Sequence, residues 1–146
     1  MISFHQVHLP FIPYPNDLHL QEKLYISINQ YIKSNKSIVC KITDEDSLLF
    51  LFYTQSKQFM LYLKSSHLYL LESLFSSLSQ TELNNIKYLY LVKGVEFHHK
   101  KLQHKLYYSL KKYNMVEKIV NIGDCLLHQE IGITKEGIFF HSFSKL

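Results

Sequence analysis

The run Leu48-Leu49-Phe50-Leu51-Phe52-Tyr53 is apolar at every position. A strand with one face in water alternates apolar and polar residues, so this run reads as a strand covered on both faces. It is far shorter than the ~20 residues needed to cross a bilayer as a helix. Asp44-Glu45-Asp46 before it and Gln55-Ser56-Lys57 after it are polar turns. Ile38–Ile42 and Phe59–Leu63 then read as its partners in an antiparallel meander, because the connections are short.

The rest of the chain is arranged around that strand. With 146 residues and neither a repeat nor a low-complexity tract, residues 1–146 read as one domain. Ile2–Leu9 reads as a first strand, and Pro10, Pro13 and Pro15 impose an extended connection after it. Asn16 is a good N-cap, and Leu20, Leu24, Ile28 and Tyr31 recur at helical spacing, which predicts a helix ending near Asn35. A second helix is predicted from Ser66, with Leu71, Leu74, Phe75 and Leu78 inward. Ser79-Gln80-Thr81-Glu82 has capping-box spacing for a further turn. Tyr88–Val92 is a strand ended by Gly94. A third helix over Glu96–Tyr113 carries Leu102, Leu106 and Leu110 on one stripe and is closed by Asn114. Val116–Ile122 is a strand, Gly123-Asp124 a turn, and Leu126–Thr134 with Ile138–Phe143 a hairpin around Lys135-Glu136-Gly137. The expected class is α/β in the α+β sense. It has a central mixed, mostly antiparallel sheet, about three flanking helices and the order β-α-β-β-β-α-β-α-β-β-β.

All sixteen basic residues are lysine, so no side chain offers the bidentate fork that arginine brings to phosphate or carboxylate. Alanine is absent too, and the helices depend on packed Leu, Ile and Tyr rather than on intrinsic propensity. Cys40 and Cys125 lie in apolar segments and read as buried thiols, not as a disulfide framework. The N-terminus has no lysine-bearing segment leading into a long apolar stretch, which gives a cytoplasmic expectation.

Charge is polarised. Lys87 to Lys118 holds eight of the sixteen lysines and two of the twelve acids. Lys100, Lys101, His104, Lys105, Lys111 and Lys112 gather on the third helix, a basic face suited to an acidic protein or to nucleic acid. Tyr88, Tyr90, Tyr107, Tyr108 and Tyr113 are interleaved with it. None of the histidine spacings matches a metal site. If Asp124 to Glu130 is extended, Asp124, His128 and Glu130 share one strand face and form a candidate acid–base set.

The element order, with the segment Leu106-Tyr107-Tyr108-Ser109-Leu110-Lys111-Lys112-Tyr113-Asn114-Met115-Val116, resembles the GNAT acyltransferases. The resemblance implies that Tyr107 or Tyr108 is the acid toward a leaving thiolate. It places a coenzyme A pyrophosphate loop at Lys64, Ser65 and Ser66. That junction, Leu63-Lys64-Ser65-Ser66-His67-Leu68, has no glycine where the family has a Gly-rich loop. From Ile38 onward the order is also similar to an RNase H-like core, without the clustered strand carboxylates that hold metal there. The expected function is a small cytosolic interaction protein: an adaptor, accessory subunit, regulator or immunity-type protein. It would meet a partner with an acidic surface through the basic, aromatic-rich helix and would carry no cofactor. The alternatives are a GNAT-like acyltransferase using coenzyme A or an acyl carrier protein, and a nonspecific nucleic-acid-binding module.

Overall fold

The computed structural model describes residues 22–54, 57–94, 100–125 and 129–142. The strands are β1 (Lys23–Ile26), β2 (Gln30–Ser34), β3 (Ser37–Lys41), β4 (Ser47–Tyr53), β5 (Gln58–Lys64), β6 (Tyr88–Gly94), β7 (Ile119–Cys125), β8 (Gln129–Ile133) and β9 (Ile138–Ser142). The helices are α1 (Tyr69–Ser77), α2 (Gln80–Asn85) and α3 (Lys100–Lys112), with 3-10 turns at Ser65–His67 and Val116–Lys118. The class is α+β.

The strands form two sheets, a five-stranded one of order β2-β5-β4-β6-β7 and a four-stranded one of order β1-β3-β8-β9. Among the described residues only β6/β7 and β1/β3 pair in parallel. The central strand is β4, buried on both faces as its composition requires. Leu48, Phe50 and Phe52 join Leu71, Phe75, Leu106 and Leu110 in a core beneath the helices. Leu49 and Leu51 join Ile38, Cys40, Ile131, Ile133 and Ile138 in a second core. The described chain is therefore three layers: helices, five-stranded sheet, four-stranded sheet.

The expected mixed, mostly antiparallel central sheet is the five-stranded one, and a four-stranded sheet is stacked on it. The strand at Ile38–Ile42 leaves the meander: β3 pairs with β1 and β8, while β4 pairs with β5 and β6. The alternating Ile38, Cys40 and Ile42 fit one face of a second sheet stacked on β4 better than they fit β4's edge.

The helix expected up to Asn35 is also corrected, since residues 23–34 form β1 and β2, one in each sheet. The chain turns between the two strands at Asn29, whose left-handed backbone (φ 61°) lies outside any helix interior. Its Oδ1 accepts from the Lys64 amide at 3.1 Å. The first strand Ile2–Leu9, the three prolines and Asn16 lie outside the described residues.

Further along, the pattern holds. Ser79 Oγ accepts from the Glu82 amide at 3.1 Å, and Glu82 Oε1 from the Ser79 amide at 3.0 Å, which completes the capping box. Asn114 ends α3 at φ 59°. The Asn114 and Met115 amides donate to the carbonyls of Lys111 and Leu110, a Schellman closure with Met115 and Leu110 both buried. The expected turn at Gly123-Asp124 instead lies within β7. The register against β6 shifts there, Leu91 facing Asn121 and Val92 facing Gly123, so the glycine sits at a bulge.

Candidate functional site

On α3 the inward stripe of Leu106, Ser109 and Leu110 packs against the helical core, with Leu102 half-buried beside it. This leaves Lys100, Lys101, His104, Lys105, Lys111 and Lys112 exposed, as the basic-face reading requires. The helix carries no acid. Among the described residues only Lys112 of this set has an ion-pair partner, the Glu72 carboxylate at 2.7 Å. Tyr107 and Tyr108 are exposed on the same helix, at 55% and 70%.

Between α3 and the start of α1 lies a groove of about 600 Å³. Ser65 and Ser66 line it from the 3-10 turn, Leu68, Tyr69 and Glu72 from the next segment, and Lys101, Leu102, His104, Lys105, Tyr108 and Ser109 from α3. Residues expected separately as cofactor-binding, partner-binding and catalytic thus meet at one place.

The groove has two chemical ends. At one, Glu72 Oε1 accepts from Lys112 Nζ at 2.7 Å and Oε2 from Ser109 Oγ at 3.2 Å. The lysine bond holds the Glu72 carboxyl below its ordinary range and raises the Lys112 ammonium above its own. At the other end Lys101 and Lys105, one turn apart, have no acid against them among the described residues. Ser65 is spent structurally: its hydroxyl donates to Asp46 Oδ1 at 2.5 Å and its amide to the Asp46 carbonyl. Ser66 is exposed, its hydroxyl 3.5 Å from His67 Nδ1.

Other expected residues fall elsewhere. Lys64 turns to Asp44 at 3.5 Å, Tyr107 is outside the groove lining, and Lys111 borders a separate hollow with Glu117. The acid–base set does not share one strand, because β7 with Asp124 and β8 with Glu130 belong to different sheets. Glu130 is buried opposite Lys41 and His141, and His128 lies outside the described residues. Among the described residues no three His, Cys, Asp or Glu side chains are grouped to hold a metal, and no helix is long and apolar enough to cross a membrane.

Tyr69 and Glu72 were not singled out from sequence, and Leu102 was read only as part of the inward stripe of α3. Tyr69 and Glu72 flank the buried Leu71, Leu74 and Phe75 stripe, and only the approach of α3 makes them walls of a groove. The GNAT resemblance implies an opening for a pantetheine arm between Phe59–Leu63 and Tyr88–Val92. β4 lies between those strands and pairs with both along its length. No protein-family model matches the chain, and no curated protein matches it.

Proposed function

We propose that this protein is a small interaction protein whose α3 face binds an acidic surface on another protein. The observation that carries the reading is the exposed, acid-free helix with Lys100, Lys101, Lys105 and Lys111 unpaired among the described residues and two exposed tyrosines between them. Unpaired lysines steer an oppositely charged partner, and tyrosines supply contact area at low entropic cost. The placement of β4 between β5 and β6 weighs against the acyltransferase reading, and the lack of arginine weighs against base readout of nucleic acid.

The test is cross-linking of the protein in its source cell, with mass spectrometry of the linked peptides. The expected result is a protein partner linked through α3 and lost in a Lys101→Glu/Lys105→Glu/Lys111→Glu variant that still folds. Recovery of nucleic acid alone, or a partner indifferent to charge reversal, would overturn the reading.

A further inference from the structure

We infer that the groove between α1 and α3 is the anchor point of this interface, taking a short acidic peptide segment with one aromatic or large apolar side chain. The inference rests on the proposed function and narrows it to a ligand chemistry. Lys101 and Ser109 both line the groove, and the eight helical steps from one to the other span about 12 Å. That length matches about four residues of extended chain.

The lining divides the work. Leu68 and Leu102 form an apolar floor, and Tyr69 and Tyr108, 62% and 70% exposed, stand at the walls. A bulky side chain seated there covers apolar surface that otherwise faces water. Lys101 and Lys105 lie one turn apart on the α3 side of the groove, placed to meet carboxylates flanking the anchor. Glu72 does not oppose them, because Lys112 and Ser109 already hold its two oxygens. The groove is also continuous with the exposed lysine face, which a closed small-molecule cavity would not be. A nucleic acid strand fits less well, because the floor between the walls is apolar.

Fluorescence anisotropy on the whole chain tests this. The probe is a labelled Asp/Glu peptide of about eight residues with one central Phe. Its controls are the same peptide with Ser for Phe, and single-stranded oligo-dT. The Phe peptide is expected to bind at least about tenfold tighter than the Ser peptide, a difference of about 1.4 kcal/mol. Tyr108→Ser and Lys101→Glu should each cost about tenfold, and Lys57→Glu, an exposed lysine before β5 at the end opposite Ser65, less than about threefold. Tyr108 is exposed, so Tyr108→Ser folds, and its melting curve verifies that. Equal binding of the two peptides, with lysine reversal still harmful, overturns the groove and leaves the charged face standing. Failure of both peptides, or preference for oligo-dT, overturns the acidic-segment inference itself.

Discussion

Glu72, which lines the groove from α1, and Lys112 on α3 meet at 2.7 Å, so the acid that could repel an anionic guest is already neutralised from within. Glu72→Gln keeps an oxygen for Ser109, removes the negative charge and frees the Lys112 ammonium. The acidic Phe peptide is then expected to bind about three- to tenfold tighter at low salt, with the gain fading toward ~0.5 M salt as screening takes over. Anisotropy titrations at both salt concentrations check this. Weaker binding by the variant would mean that Glu72 contacts the guest directly.

A second ion pair predicts an acid-sensitive stability. Glu82 accepts from the Ser79 amide at 3.0 Å and from Lys33 Nζ at 2.9 Å. The amide bond, then the lysine, lower its carboxyl from 4.5 to about 2. A depressed carboxylate stabilises the fold above its unfolded value and loses that contribution as pH falls through its folded value. The melting temperature of the wild type should therefore fall between pH 4.5 and about 2. Glu82→Gln keeps the capping geometry without the titrating charge. It should start lower at neutral pH and meet the wild-type curve at the acid end. Parallel curves would contradict the assignment.

How much of this could be read from the sequence follows from the range of the interactions involved. The capping box at Ser79 and Glu82, the α3 stripe and the Asn114 closure are all set by residues within one or two turns of each other, and all are present. β4's apolar run correctly demanded cover on both faces, but not whether a sheet or a helix supplied it. Residues 23–34 misled because Leu24, Ile28 and Tyr31 suit helical spacing, while Leu24, Ile26 and Ile28 equally alternate as in a strand. The deciding contact, from Asn29 to Lys64, spans 35 residues. The basic half of the groove was visible as a charge pattern on one helix. Its α1 wall depended on a tertiary approach that no local spacing encodes.

That contact gives a graded series. Asn29 combines a left-handed backbone with an oxygen that accepts from the Lys64 amide, where β5 runs into the 3-10 turn of Ser65 and Ser66. Asn29→Asp keeps both features and should leave stability nearly unchanged. Asn29→Gly keeps the backbone but loses the bond, at about 0.5–1 kcal/mol. Asn29→Ala loses both, at about 2–3 kcal/mol. Urea midpoints for the three variants check the order, and an alanine variant as stable as the glycine one would refute it.

Gly132 and Phe139 supply the last test, because two effects of opposite sign compete there. The residues face each other across the β8/β9 ladder, and Gly132 also faces Val39 on β3. Val39 and Phe139 are fully buried and form a small cluster apart from both main cores, since Ile38 and Ile138 beside them face the five-stranded sheet. The Phe139 ring lies where a side chain at position 132 would begin, its Cε2 and Cζ overlapping the place of a Cβ. Replacing a strand glycine by alanine ordinarily gains about 0.5–1 kcal/mol of backbone entropy. Here the new methyl must displace a fully buried ring, and overpacking of that kind costs about 1–3 kcal/mol. The packing term is the larger, so Gly132→Ala is expected to destabilise. In a Phe139→Leu background the obstruction shrinks, and the same substitution should cost less by about 1 kcal/mol. A double-mutant cycle from denaturant unfolding measures that coupling. Additivity within about 0.3–0.5 kcal/mol would mean that the ring is not what keeps residue 132 a glycine.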